Sequence, residues 1–161
     1  MSDLQIIEAK ENIASSPEAV WAALLEVESW KKWWDGNELS EVTPSWGKGA
    51  SLIFQPGGPS TIYDFQPGNL LDFGGTNSGM VMHRCFKLEK SSNHTAMIYS
   101  FSVTGAGPIP PSQKNEERRS MELVLQNFKK LVESSSPPSQ APVSGKDPVS
   151  PSSKKWWEFW R

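Results

Sequence analysis

The stretch that decides the fold is GMVMHRCFKLEKSSNHTAMIYSF, residues 79–101. Its apolar and polar side chains fit two β-strands joined at Ser92-Asn93. A two-residue turn there would form an antiparallel hairpin and bring Phe86 opposite Tyr99 on an apolar face. Shifting the pairing by one residue mixes apolar and polar side chains on both faces. We therefore predict the register that this turn sets.

The same register places Arg84 opposite Phe101, on the apolar side of the hairpin. A buried guanidinium without a partner is very costly, which predicts an acidic partner, a water or an anionic ligand beside Arg84. Glu11, on the apolar face of the predicted first strand, and Asp64 are available acidic partners. We interpret Arg84 as a candidate for binding a carboxylate, phosphate or enolate oxygen. The ordinary alternative is a structural ion pair or an arginine that reaches a cavity mouth.

Short strands and turns make up most of the chain before residue 105. The turns are rich in glycine, proline and asparagine, as in WGKG, PGG, QPGN and GGTNS. Strands are predicted at residues 5–13, 38–43, 50–55, 60–66, 70–74, 79–90 and 94–104.

Three segments carry helical signals. In SSPEAVWAALLE, Ser15 and Glu18 have the spacing of a capping box, and Pro17 suits a first helical turn. VESWKKWW, residues 27–34, predicts a second, short helix. Apolar residues at helical spacing predict one long helix over residues 113–133.

The faces of this long helix can be assigned from the same spacing. We expect an apolar set to face the interior and a charged set to face solvent. The inward set is Met121, Leu125 and Phe128, and the outward set is Glu116, Glu117 and Lys130.

The bulk composition excludes several classes of protein. Residues 134–161 carry four basic and two acidic side chains, so residues 1–133 hold 12 basic and 16 acidic ones, a net charge of −4. That balance argues against a nucleic-acid-binding domain. No apolar run approaches a membrane span, and the first residues do not resemble a signal peptide. With Cys85 as its only cysteine, the chain is expected in a reducing cytoplasm.

The predicted order of strand, two short helices, six strands and long helix is the helix-grip arrangement. The chain resembles the START-like or SRPBCC superfamily, and within it the polyketide cyclase/dehydrase-like proteins. Residues 13–34 (IASSPEAVWAALLEVESWKKWW), 64–75 (DFQPGNLLDFGG) and 79–101 carry the resemblance. It implies an α+β fold over residues 1–133, with a curved antiparallel sheet wrapped around the long helix. It also implies an apolar cavity between sheet and helix.

Candidate site residues follow from this cavity. We expect ligand contacts, with the GAGPIPP loop (residues 105–111) as a lid, from Glu11, Trp34, Trp46, Phe54, Asp64, Met82, Arg84, Phe86, Tyr99, Phe101, Met121, Leu125 and Phe128. Arg84 and Tyr99 are the candidates for any catalytic role. His83 and Cys85 share a strand face, but it is the solvent side, so we discount a thiol–imidazole dyad. Neither a cofactor nor a metal site is expected, because histidine and cysteine are few and scattered.

Three functions are compatible with this sequence. Binding of a lipid, polyketide-like or other apolar small molecule is favoured, because no convincing nucleophile, acid–base pair or metal set is present. A cyclase or dehydratase is the alternative enzyme, since such chemistry depends more on positioning than on a reactive triad. A co-chaperone role is the third, because WKKWWDG, residues 30–36, resembles the opening of heat-shock-chaperone ATPase activators.

The final segment follows a stretch of serine and proline. Residues 134–155 are too poor in apolar groups to fold and are predicted to be a flexible linker. The last residues, 156–161, are rich in aromatic side chains. A disordered tail is the ordinary interpretation. As a functional one, docking on an apolar groove of this chain, a neighbouring chain or another protein is favoured over membrane binding. The docking residues would be Trp156, Trp157, Phe159 and Trp160.

Overall fold

The chain is described from Leu4 to Ser135 in a computed structural model. Seven antiparallel strands form one curved sheet in the order β1-β7-β6-β5-β4-β3-β2. The elements, in chain order, are β1 (Gln5–Ile13), α1 (Pro17–Leu24), a 3₁₀ turn (Val27–Ser29), α2 (Trp30–Trp33), β2 (Glu38–Thr43), β3 (Ser51–Gln55), β4 (Pro59–Gln66), β5 (Leu70–Asn77), β6 (Met80–Lys90), β7 (Thr95–Thr104) and α3 (Pro111–Ser135). This is the predicted helix-grip fold.

The β6–β7 hairpin has the predicted register. Phe86 lies opposite Tyr99, and Arg84 lies opposite Phe101. The backbone amide of Ser91 donates to the carbonyl of His94 at 2.9 Å, which closes the turn around the two residues between them. The alternation of apolar and polar side chains therefore fixes which face of each strand is buried.

Helix α3 covers the inner face of the sheet and packs mainly against β1 and α2. Met121, Leu125 and Phe128 are buried, as the helical spacing predicts. The ring of Phe128 meets the edge of Trp33 with 4.8 Å between centroids. Glu117, predicted to face solvent, is instead only 2% exposed.

An aromatic cluster fills the space between α2 and the sheet. Trp30 is at its centre and is fully buried. Its indole nitrogen donates to the carbonyl of Leu24 at 2.8 Å, so the polar group of this side chain is satisfied inside the core. The other rings around Trp30 belong to Trp33, Trp34, Trp46, Phe54, Phe73 and Phe86.

The ends of the helices differ in detail from the sequence interpretation. Ser16, not Ser15, caps α1, with its hydroxyl accepting from the amide of Ala19 at 3.2 Å. At the far end of α3, Glu133 accepts from the amide of Ala14 and from the ammonium of Lys129, both at 2.8 Å. The bond to Ala14 attaches the last turns of α3 to the residue that follows β1.

Strand β5 continues beyond Gly74, where the predicted strand ends, into the GGTNS stretch that the sequence predicts to be a turn. The chain reverses later, at Ser78 and Gly79, which both have positive φ. A Cβ built on Gly74 would lie 1.8 Å from the carbonyl oxygen of Met82 on β6. Gly74 is therefore required by close backbone approach rather than by a turn.

The predicted linker and aromatic segment lie outside the described residues, except that α3 extends through Ser134 and Ser135. Between Leu4 and Ser135, no helix has the length and apolar character needed to cross a membrane.

Replacing Gly74 by alanine tests the β5–β6 approach. Because the added methyl would overlap backbone rather than a flexible side chain, we expect a loss of unfolding free energy of about 2 kcal/mol. Gly75→Ala is the matched control, since a Cβ there meets nothing within 4 Å. Thermal unfolding of both variants measures the difference, and equal stabilities would contradict the close approach.

Candidate functional site

A cavity of about 310 Å³ lies on the inner face of the sheet. This volume is at the lower end of the range of small-molecule sites. Its lining residues Gly58, Pro59 and Thr76 are exposed. The cavity therefore opens to solvent near the β3–β4 and β5–β6 turns. The full lining is Trp34, Asn37, Phe54, Gly58, Pro59, Ser60, Phe73, Gly74, Gly75, Thr76, Asn77, Met82, Arg84 and Phe101.

Most of the deep wall is aromatic, and Arg84 is its charged member. In the sheet, Arg84 lies between Phe73 on β5 and Phe101 on β7. All three side chains point inward because directly paired residues share a face of the sheet. The arginine side chain is 9% exposed. A cation is thus held against an apolar chamber by the register of the central strands.

Within residues 4–135, the side chains of Tyr99 and Glu117 accept hydrogen bonds from the guanidinium of Arg84. Its Nη1 donates to the hydroxyl of Tyr99 and, at 3.3 Å, to Oε1 of Glu117. Glu117 comes from α3, so the pair joins the helix to the sheet. Its other oxygen, Oε2, is buried without a hydrogen-bond partner among residues 4–135.

The acidic partner of Arg84 therefore differs from the two that the sequence suggests. Glu11 lies opposite Met97, four residues along β7 from Phe101, the residue that faces Arg84. Asp64 pairs with Asp72 and accepts from Gln66, away from Arg84. The expectation of a solvent-exposed Glu117 is wrong, because this carboxylate faces Arg84 and accepts from its Nη1 at 3.3 Å. A buried cation favours a carboxylate beside it.

Aromatic rings surround the rest of the guanidinium. Its central carbon is 4.4 Å from the ring centroid of Phe101, 5.8 Å from that of Trp34 and 5.9 Å from that of Tyr99. Burial by itself would lower the pKa of Arg84, but the adjacent Tyr99 and Glu117 outweigh it and raise that pKa above its ordinary value. The side chain is thus a permanent cation.

A second cavity of only about 10 Å³ lies on the helix side of Arg84. Tyr99, Glu117 and Met121 line it, and Trp34 and Arg84 line both cavities. Its volume is roughly that required by one water molecule. Trp34 and Arg84 therefore form a partition between an open apolar chamber and a small polar one.

Five of the expected contact residues line the larger cavity: Trp34, Phe54, Met82, Arg84 and Phe101. Tyr99 and Met121 line the smaller one. Phe86, Leu125 and Phe128 are buried in the core, Trp46 stacks on Trp30 and Phe65, and neither Glu11 nor Asp64 lines either cavity.

Sequence reasoning missed several lining residues. Asn37 accepts from the indole nitrogen of Trp34 at 3.1 Å and donates to the carbonyl of Pro56 at 3.2 Å, which orients the Trp34 ring. Its signal was weak because an asparagine after Asp35-Gly36 is typical of a turn. Phe73 could have been found, since it occupies an inward position of a predicted strand.

The GAGPIPP loop, which the sequence predicts to be a lid, is not among the residues that line the larger cavity. Gln5 holds this loop against the start of β1. The side-chain oxygen of Gln5 accepts from the amide of Ile109 at 2.8 Å, and its amide nitrogen donates to the carbonyl of Gly107. Ile109 is buried under these contacts.

The outer face of the sheet carries a separate polar group. Nδ1 of His83 lies 3.0 Å from an oxygen of Asp72, and the ring of Tyr63 lies 4.4 Å from the imidazole. As predicted, His83 and Cys85 share this face. Among the described residues, no group of three or more His, Cys, Asp or Glu side chains has a metal-binding arrangement.

Burial, followed by the negative charge of Asp72, raises the pKa of the Cys85 thiol to about 11. Because the thiolate is the reactive form, we expect Cys85 to react with a disulfide reagent at least about tenfold more slowly at pH 8 than a free thiol. The rate should keep rising by about tenfold per pH unit between pH 8 and 10. A plateau near pH 9 would contradict this assignment.

Comparison with known proteins places the fold but not the function. No family model matches the chain, and no curated protein matches its sequence. Among solved structures, it is similar to DynU16, a protein of the dynemicin biosynthetic locus, with a TM-score of 0.63 and 15% identity over 80% of this chain. This chain spans only 47% of the length of DynU16.

Two further similar structures are covered almost completely. The Aha1 dimer from Colwellia psychrerythraea has a TM-score of 0.59 and 19% identity, covering 80% of this chain and 96% of that one. Ara h 8.0201 has a TM-score of 0.62 and 14% identity, covering 82% of this chain and 99% of that one. At these identities the likeness concerns the helix-grip fold alone.

Proposed function

We propose that the protein binds an apolar small molecule that carries an acidic or other oxygen-bearing group, with Arg84 as its hydrogen-bond donor. The observation that carries the proposal is the buried guanidinium of Arg84 on the wall of an aromatic cavity of about 310 Å³. A few polar groups that converge on a largely apolar chamber are the usual features of a small-molecule site.

The aromatic wall accounts for the apolar part of this ligand. Trp34, Phe54 and Phe73 line the cavity together with Phe101. Contact with these rings removes apolar surface of the ligand from water, which contributes about 25 cal/mol for each Å² buried. Flat or chain-like molecules gain most, because ring faces offer extended contact area.

The Arg84–Glu117 pair accounts for the polar part. Glu117 offsets the charge of Arg84, but it approaches from the helix side at 3.3 Å while Arg84 also lines the larger cavity. A ligand oxygen in the larger cavity would therefore compete with Glu117 for the same cation. Hydrogen bonds to charged groups in such dry surroundings are stronger than neutral ones.

The geometry favours binding over chemistry. Tyr99, the candidate acid, lines the smaller cavity and not the larger one. The Asp72–His83 pair lies on the opposite face of the sheet. A ligand in the larger cavity is thus separated from both groups.

A charge cycle at the pair tests the proposal. Glu117→Gln removes the carboxylate that competes for Arg84, so affinity for decanoate should rise. Arg84→Met combined with Glu117→Gln removes the donor without leaving a buried charge, so that affinity should fall by about tenfold or more. Affinity for the neutral alcohol of the same chain length should change much less. Isothermal titration calorimetry of each variant with both probes gives the four comparisons.

Lys87→Met is the matched control, because it removes a cation from the same strand at a side chain that is 50% exposed. It should leave both affinities unchanged. Thermal unfolding of each variant establishes that the cavity is intact. Equal losses for acid and alcohol in the double variant would give Arg84 a purely structural role and overturn its part in the proposal.

A cyclase or dehydratase remains the alternative enzyme, and a co-chaperone the alternative partner protein. DynU16 belongs to a biosynthetic locus and the second similar structure is Aha1, but fold likeness alone supports neither role. Turnover of a polyketone substrate would support the first alternative. Co-purification of a heat-shock chaperone would support the second.

A further inference from the structure

The helices and strands of the helix-grip fold lie within residues 4–135, and the sequence continues to the aromatic segment 156–160. We propose that this segment docks in the mouth of the larger cavity of its own chain, where it competes with the ligand. Three properties of the chain support this occupant: the composition of the cavity wall, the charge around its mouth and the length of the intervening linker.

The wall of the cavity suits an aromatic side chain. Trp34, Phe54, Phe73 and Phe101 line it. Its volume of about 310 Å³ is at the lower end of the range of small-molecule sites, which leaves room for an indole ring. Aromatic rings attract one another in tilted and offset arrangements beyond what burial alone provides. One ring would enter the cavity, and the neighbouring aromatic residues would lie against its exposed rim.

The charge beside the mouth complements the segment. Asn37 lines the cavity, and the residues around it, from Asp35 to Glu41, include three acidic side chains and no basic one. Glu38 and Glu41 are exposed. The segment is preceded directly by Lys154 and Lys155. These lysines would meet the acidic edge when an aromatic ring enters the cavity.

The linker has the required reach. From Ser135 back to Glu117, which contacts Arg84 on the cavity wall, α3 covers 18 residues or about 27 Å, which sets the scale of the distance to be spanned. As a random coil, the 20 residues from 136 to 155 would span about 25 Å on average and at most about 65 Å. Because a linker gives its highest effective concentration when its span matches the distance, docking within one chain is favoured over docking on another.

Nuclear magnetic resonance of the full chain tests the contact without any ligand. One variant replaces the four aromatics: Trp156→Ala, Trp157→Ala, Phe159→Ala and Trp160→Ala. Compared with the unmodified chain, it should shift the indole resonance of Trp34 and the amide resonances of residues 73–77. The hairpin turn at residues 91–94 should not move. Differences confined to residues 134–161 would overturn the proposal.

Deleting residues 136–153 provides the matched control. It keeps KKWWEFWR intact, but Trp160 then lies seven residues beyond Ser135 and reaches at most about 25 Å. The cavity resonances of this deletion variant should resemble those of the four-alanine variant.

Two results would show that the segment docks on another copy. One is that the deletion variant keeps the cavity resonances of the unmodified chain. The other is that tenfold dilution of the unmodified chain changes its own cavity resonances. Unchanged cavity resonances together with binding of the unmodified chain to anionic vesicles would favour a membrane occupant. Each of these results would overturn docking within one chain.

Competition between the aromatic segment and a ligand rests on the proposed function, whereas docking of the segment in the cavity does not. The four-alanine variant should bind decanoate severalfold more tightly than the unmodified chain, with calorimetry as the readout. Docking seen by magnetic resonance but without this gain would support the contact and count against a ligand in the larger cavity. If the cavity resonances are the same in the unmodified chain and the four-alanine variant, docking is overturned, and the proposed function is unaffected.

Discussion

Pairing of β6 with β7 is the constraint on which the inner face of this protein depends. It sets Arg84 against Phe101 and, through β5, against Phe73. A slip of one residue would turn the inward side chains of the shifted strand to the outer face and disrupt the aromatic wall. Helix α3 then completes the arrangement, because its inward positions provide apolar side chains and one carboxylate, Glu117. The cavity wall and the position of Arg84 thus follow from the strand register, and the position of Glu117 follows from the inward face of α3.

A buried ion pair of this kind contributes little to the free energy of unfolding. The cost of removing both charges from water offsets most of their attraction, and a pair of apolar side chains of similar volume often performs as well. We therefore infer that Arg84 and Glu117 are of use in recognition. The position of Arg84 between an open apolar chamber and a small polar one is consistent with a donor that a ligand oxygen shares with Glu117.

The local pattern of apolar and polar residues was sufficient to predict the succession of strands and helices along the chain. It also predicted the hairpin register and the inward position of Arg84. It failed where a residue is determined by its neighbours in space. Glu117 looks like a solvent-facing helical residue until the cation opposite it is known. Gly74 looks like a turn residue, although the approach of the Met82 carbonyl is what requires it. The cavity lining was predicted in part. Trp34, Phe54 and Phe101 were expected there from the sequence, whereas Asn37 depends on how the chain turns after α2.

A crystal structure of the protein with bound decanoate would locate both parts of the ligand. We expect an alkyl chain between Trp34, Phe73 and Phe101, with a carboxylate oxygen about 3 Å from a guanidinium nitrogen of Arg84. A fatty acid bound elsewhere, or bound in this cavity with its carboxylate toward solvent and no contact to Arg84, would contradict this expectation.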